Sequence, residues 1–387
     1  MTRALEELRR TGKEVFDLTA SNPTTCGFVY PEREILTALT DPRGLVYRPD
    51  SKGLREAREA VAEYYAGRAE FSECSGSLER IGHERIDPEH VLLASGTSEA
   101  YTHIFRLLCE AGDEILVPAP SYPLFEFLAE LADIHLVPYP LLYDHGWQID
   151  FASLRGALTP RSRAVLVVHP NNPTGSFVKP REAAELARIC AAREMAIVAD
   201  EVFLDYTSAA PPAHTFALQK AALTFTLSGL SKISLLPQMK LAWTVVSGPD
   251  AVVQTAVDRL EIIADTYLSP STPVQFALPK FLSLRHALQE QLAQRISANL
   301  SILDSIVRES KSLARLDREG GWYAVLRVPV TATDDDLAVA LLERYSVLIH
   351  PGHFFNFSRD GFLVLSLITP QQQLEEGLRR LQKFFGG

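Results

Sequence analysis

Leu223-Thr224-Phe225-Thr226-Leu227-Ser228-Gly229-Leu230-Ser231-Lys232 is the stretch from which the rest of the chain can be read. Its first five residues alternate apolar and polar, the pattern of a β-strand with one wetter face. Small residues follow and then a lysine, which predicts a primary amine at a strand end, where backbone can approach a ligand. An amine held in such a pocket loses hydration, its pKa falls, and it becomes able to condense with an aldehyde. A solvated surface lysine would show the same residues, and only the flanking sequence separates the two readings.

On both sides of this stretch, apolar β-rich runs recur at 91–94, 115–117, 134–137, 164–168, 196–199 and 243–247. Helical patterns lie between them at 99–110, 124–131 and 180–193, the last opening on Pro180, where a missing N–H costs nothing. Strands alternating with helices predict an α/β fold with a mainly parallel, mixed central sheet flanked by helices. Ligands of such sheets sit beyond the carboxyl ends of the strands. The pattern changes after about residue 250. A helical tract over 251–313, broken near 269–273, leads to strands expected at 322–328, 347–350 and 362–367. This predicts a large domain over 46–265 and a smaller α+β domain built from 1–45 and 266–387. The polar segment 70–88 is expected to be an irregular insertion.

At 387 residues the chain is longer than one typical core, in keeping with two domains. A net charge of −10 argues against nucleic acid or an anionic membrane as the main partner, though not against a local phosphate pocket. Cys26, Cys74, Cys109 and Cys190 are scattered, which fits a reducing compartment better than a disulfide framework or a zinc site. The charged opening at 1–10 does not read as a signal peptide, and no apolar run reaches membrane-spanning length. A cytoplasmic location is expected. The ten histidines show no metal-ligand spacing, and His169 reads as a packing residue.

Four further motifs sit at strand ends. Ser95-Gly96-Thr97-Ser98-Glu99 precedes a helix, whose free N–H groups and dipole suit an anion; an ordinary N-cap would look the same. Pro118-Ala119-Pro120-Ser121-Tyr122-Pro123 fixes an aromatic ring where it can stack on a flat heterocycle or simply pack in a loop. His169-Pro170-Asn171-Asn172-Pro173-Thr174-Gly175 offers amides able to meet a phenolate oxygen. Asp200 ends another apolar run, where a carboxylate must be paired or lose its charge, and a protonated pyridine nitrogen would pair it. An anion cup, a stacking ring, an amide, a carboxylate and an amine together match pyridoxal phosphate.

In these motifs, and in their order, the chain resembles a class I/II pyridoxal-phosphate-dependent aminotransferase of the aspartate aminotransferase fold type. The resemblance implies that Lys232 carries the cofactor as a Schiff base and then serves as the base acting on the substrate. It implies that Asp200 keeps the ring nitrogen protonated, that Asn172 donates to the ring oxygen and that Tyr122 stacks on the ring. Gly96, Thr97 and Ser98 would cradle the phosphate, helped by Ser228 or Ser231. Tyr47 would reach the phosphate of a second subunit, which implies a homodimer with shared sites. Asn22 and Gly27 would border the substrate with Asn172. Small-molecule amino donors and carbonyl acceptors are the implied partners, and no metal is implied. A lyase or decarboxylase on the same fold, or a cofactor-binding module without turnover, would share the same residues.

Four positions depart from the family pattern. Phe203 stands where a tyrosine is usual, Gly229 where a phosphate-binding serine is common, and Lys240 where an arginine is usual. Val364 occupies the place of the arginine that clamps the carboxylate of α-amino acids. Arg359 is the nearest arginine for that role, with Arg327 second, although a solvated loop residue is the commoner reading of either; the alternative is a substrate that lacks an ordinary carboxylate there.

Overall fold

The computed structural model describes residues 2–66, 68, 85–207 and 214–386. Most of the insertion expected over 70–88, Cys74 included, lies outside the described residues. The chain opens with α1 (Thr2–Arg10), β1 (Phe16–Asp17), α2 (Glu32–Ala38) and α3 (Arg55–Tyr64). A strand-helix alternation follows: β2 (Val91–Ala94), α4 (Thr97–Leu108), β3 (Glu114–Ala119), α5 (Leu124–Leu131), β4 (His135–Tyr143), β5 (Trp147–Ile149), α6 (Phe151–Ala157) and β6 (Ser162–Val168). It continues with α7 (Pro180–Ala192), β7 (Ala196–Asp200), β8 (Thr224–Gly229), the single turn α8 (Leu230–Ile233) and β9 (Ala242–Ser247). Two long helices, α9 (Asp250–Tyr267) and α10 (Thr272–Glu309), lead into β10 (Ala314–Arg315), β11 (Tyr323–Arg327), α11 (Asp334–Tyr345), β12 (Val347–Leu348), β13 (His350–Pro351), β14 (Phe362–Ser366) and α12 (Gln371–Gly386).

Eight strands form one sheet in the order β2-β9-β8-β7-β6-β3-β4-β5. The run from β4 through β3, β6 and β7 to β8 is parallel; α5 returns the chain from β3 to β4 and α7 from β6 to β7, whereas between β7 and β8 the described residues hold only a short 3-10 turn, Phe216–Leu218. β9 is antiparallel to β8 and β2, and β5 to β4, so the sheet is mixed at both edges. Tyr101 and Phe105 of α4, Phe125 of α5 and Leu260 of α9 cover one face of its middle, against Leu166, Val198 and Phe225. Leu186 and Cys190 of α7, with Leu154 of α6, cover the opposite face.

The wetter face expected for 223–227 is not wet. Thr224, Thr226 and Ser228 are fully buried, because β8 lies inside the sheet and is covered on both sides. Thr224 meets burial by donating to the Ala222 carbonyl at 3.0 Å, whereas the Thr226 hydroxyl has no partner among the described residues. The strand expected at 134–137 runs on to Tyr143 and turns back through β5. Pro138 and Pro140 hide this in the sequence. Being of one parity, they remove ladder donors on one side only, the side that β5 leaves unpaired before Leu141.

The second sheet, β10-β11-β14-β13, is antiparallel throughout. It shares a core with α12 and with Leu288, Leu292 and Leu303 of α10. β1 pairs in parallel with β12 as a separate two-stranded sheet, and the Ser366 amide of β14 donates to the Leu18 carbonyl at 2.7 Å, tying the N-terminal segment to the second sheet. The first half of α10, including Val274, Leu278 and Phe281, packs instead with Ile35 of α2, Leu54 and Trp243. One helix therefore spans both cores.

Candidate active site

The register Val168–Asp200–Leu227 sets the carboxyl ends of β6, β7 and β8 side by side. Each end delivers one of the groups singled out above. Asp200 and Glu201 are consecutive and point opposite ways. Glu201 accepts from the Thr215 hydroxyl and the Phe216 amide, both at 2.7 Å, and is spent on structure. Asp200 instead accepts from the Tyr101 hydroxyl at 2.8 Å and the Val202 amide at 3.1 Å. Burial pushes its carboxyl pKa up, opposed by those two donors and by the charge of Lys232.

Lys232 stands on the turn that follows β8. Its ammonium lies 4.8 Å from the ring centre of Trp322 and 5.8 Å from that of Phe203. Aromatic faces favour the charged form. Burial nevertheless wins and brings the amine down to about 8, against the pull of Asp200. Enough free amine therefore exists near neutral pH to act as a nucleophile. The Tyr206 hydroxyl donates to the Lys232 carbonyl and fixes the turn.

The Asn171–Asn172 pair divides its labour. Asn171 closes its own loop, donating to the Pro120 carbonyl at 3.3 Å and accepting from the amide and hydroxyl of Thr174. The Asn172 side chain is buried, and its amide oxygen has no partner among the described residues. The orphaned atom is an acceptor that a ligand's donor would satisfy, whereas a donation to a ring oxygen would use the amide nitrogen of the same side chain. Gly175 (φ +69°) docks the loop, since a Cβ there would lie 2.4 Å from the Gly320 carbonyl oxygen. Its own carbonyl accepts from the amides of Glu319 and Gly320, a contact that leads directly to Trp322 beside Lys232. His169 is packing: buried between Phe177 and Phe216 and pushed down to about 3, it accepts from the Val178 amide and stays neutral.

The N-terminus of α4 has no side-chain cap, so Thr97 and Ser98 present free N–H groups. Glu99 turns back to the Ser95 amide and hydroxyl. The ammonium of Lys240 lies 3.9 Å from where a Cβ on Gly96 would sit, which places a cation at this cup. Ser231 is partly exposed on α8. Ser228 is turned inward, its hydroxyl donating to the Glu201 carbonyl at 3.3 Å. Tyr122 is 41% exposed, close enough to Asp200 that this charge, after burial, raises its phenol. The uncapped helix end, the orphaned amide, the buried acid and the enclosed amine fit pyridoxal phosphate in the chemistry of their donor set.

Other positions stand apart. Asn22 caps a short turn, accepting from the Thr24 amide at 3.1 Å, and Gly27 (φ +78°) has open space around it. Tyr47 is 75% exposed on a strip with Leu45 and Val46. Arg359 is exposed over the Phe362 ring, 5.7 Å from its centre. Among the described residues no group of histidine, cysteine and acidic side chains is placed to hold a metal.

Residues 13–381 match the family profile described as aminotransferase class I and II. The chain belongs to that family. It is a pyridoxal-phosphate-dependent transaminase. The glutamate-pyruvate aminotransferase AlaA of Escherichia coli (strain K12) is 24% identical over 99% of this chain and 93% of its own. The alanine aminotransferase of Mycobacterium tuberculosis is 27% identical over 97% and 87%. The solved alanine aminotransferase from Pyrococcus furiosus superimposes with a TM-score of 0.88 at 25% identity, covering 100% of this chain and 95% of its own.

The departures of this aminotransferase have visible surroundings. Phe203 is buried edge-on against Trp322 at 4.9 Å and brings no donor to the site. A side chain at Gly229 would lie 2.9 Å from the Cβ of Ala242, so serine does not fit without moving β9. Val364 is fully buried, across from Val325 and His350. Sequence reasoning missed Tyr101, Tyr206 and Trp322. Tyr101 had one usable signal: it follows Thr97 by one helical turn and so shares its face.

Proposed function

We propose that this aminotransferase moves an amino group from an amino acid or amine donor to a 2-oxo acid or related carbonyl acceptor, with Lys232 as the residue that holds the cofactor and moves the substrate proton. When bound, the cofactor supplies the electron sink and carries the amino group between the two half-reactions. Asp200 holds the proton on the ring nitrogen, and Tyr101 orients Asp200. Asn172 donates to the ring oxygen, and Tyr122 stacks on the ring face. Gly96, Thr97 and Ser98 receive the phosphate with Lys240 and Ser231, and Ser228 braces the strand end beneath them. Asn22, Gly27, Asn172 and Arg359 face the substrate.

Two copies share their sites, Tyr47 of each reaching the phosphate bound by the other; the exposed strip around Tyr47 supports this. Residues 46–265 and the pair 1–45 with 266–387 act as two units that flex along α10, although α2 packs across that division. Among the described residues no helix is long and apolar enough to cross a membrane, and the free Cys26, Cys109 and Cys190 suit a cytoplasmic setting.

The observation that carries this reading is an amine brought down to about 8 beside a buried carboxylate on an adjoining strand end. Borohydride reduction of the purified holoenzyme followed by peptide mapping tests it. The label is expected on Lys232, and mixing unreduced enzyme with amines should yield an aminated cofactor and a carbonyl product. A label on another lysine, or ammonia or carbon dioxide as the product, would overturn it.

A further inference from the structure

β14 offers no cation where an α-carboxylate would be clamped. Val364 is fully buried, and its neighbour in register, His350, is pushed down to about 4 by burial and stays neutral. Cations are found elsewhere. A cleft of about 1010 Å³ opens between the β4–β5 edge of the large sheet and the 356–362 loop before β14. Pro120 and Tyr122 line it, and the Pro120 carbonyl accepts from Asn171 at 3.3 Å, so the cleft abuts the loop that carries Asn172.

Its walls form a continuous aromatic path. Tyr143 meets Trp147 at 5.1 Å, Trp147 meets Phe357 at 6.2 Å, and Phe357 stacks on Phe362 at 4.5 Å. Two guanidinium groups flank the far end: Arg359 over the Phe362 ring, and Arg327, the cross-strand partner of Phe362. Among the described residues neither has an acidic partner. Of the two acids in the lining, Glu126 already accepts from Asn356 at 2.8 Å, and Asp144 stands on the β4–β5 turn. A ligand with an apolar body and an anionic end would cover the aromatic path and pair with the two guanidinium groups.

We propose that the amino donor is an ω-amino acid: a primary amine whose carboxylate lies several bonds from the reacting carbon, with its chain along the Tyr143–Phe357 cleft and its acid between Arg327 and Arg359. This rests on the reading of Lys232 above. The donor carbon exchanges its C–N bond for C=O and is oxidised by two electrons. The acceptor carbonyl takes the amino group and is reduced by two, so no other oxidant or reductant is needed. A missing clamp near the amine and free guanidiniums far from it are then one design. Paired carboxylate–guanidinium hydrogen bonds are strong enough to set the preference.

The test is the single-turnover bleaching of the holoenzyme by three donors: straight-chain ω-amino acids of increasing length, primary alkylamines of matching length, and L-alanine. Longer ω-amino acids are expected to react at the lowest concentrations. Their advantage over the matching alkylamine should fall at least about tenfold in the Arg327→Ala/Arg359→Ala double variant. Efficient bleaching by L-alanine with none by ω-amino acids would overturn the proposal and leave Lys232 untouched. An ω-amino acid preference that survives the double variant would equally overturn it. No bleaching by any donor would remove the reading of Lys232 on which the proposal rests, and the proposal with it.

Discussion

One hydroxyl separates Phe203 from the tyrosine usual at its position, and on the proposed role of Lys232 that group would govern how firmly the cofactor and Lys232 hold a shared proton. A phenol donating to the cofactor's ring oxygen would stabilise its negative charge and weaken its grip on the neighbouring proton. Phe203 donates nothing, so the proton stays on to higher pH. The Phe203→Tyr variant is expected to lower the midpoint of the cofactor's absorbance titration by about one unit, the size of one hydrogen bond to a charged group. A midpoint that does not fall would show that the ring oxygen is already satisfied, with Asn172 as the remaining donor. At this scale the sequence was a good guide to placement, since Asp200 and Lys232 do stand at the ends of adjoining strands. It was silent where chemistry follows partnership. Nothing in Asn171-Asn172 tells which amide closes the loop and which is left free; that is decided by the Pro120 carbonyl and Thr174, whose placement depends on the fold. Trp322 reaches Lys232 from a separate sheet, through a loop contact that local pattern does not encode.

Elements set the proposed phosphate site through backbone more than through side chains. The twelve-residue helix α4 begins without a cap, and Lys240, held in a left-handed turn (φ +52°), brings its ammonium to the same place. Lysine supplies charge without the planar fork of an arginine, so the helix end must provide the direction of the bonds. Lys240→Ala is expected to weaken cofactor retention by about tenfold, the loss of one charge-assisted contact, whereas Lys240→Arg should hold it. Absorbance after exhaustive dialysis measures both, and full retention by the alanine variant would mean that α4 alone carries the phosphate. The strand-helix alternation behind this arrangement was legible because the interior parallel strands β3, β6 and β7 are mostly apolar. The β4–β5 hairpin was not, since Pro138 and Pro140 read as strand breakers until the unpaired edge beside them is seen. The alternation of 223–227 misled for the opposite reason: threonines mark a wet face only at an exposed strand, and β8 is interior.

The whole molecule leaves an apolar strip uncovered. Leu45, Val46 and Tyr47 are 90%, 63% and 75% exposed, far above what an isolated surface residue needs, and Leu268 after α9 is 62% exposed. The two stretches are neighbours: Gly44 lies against Pro273 at the start of α10, and Arg43 sits 4.2 Å over the Phe276 ring. A charge introduced into such a strip is harmless in a monomer and costly in a dimer, where it would be desolvated without a partner. Leu45→Glu/Val46→Glu is therefore expected to shift the sedimentation of the protein from dimer to monomer while far-UV circular dichroism stays unchanged. On the proposal that Tyr47 of one copy serves the phosphate of the other, the same variant should also lose cofactor on dialysis. Tyr47→Phe should keep the dimer and lose only part of its cofactor affinity, which separates assembly from ligand contact. A wild-type chain that sediments as a monomer and still retains its cofactor would show that each site is complete within one copy, and that the strip serves some other contact.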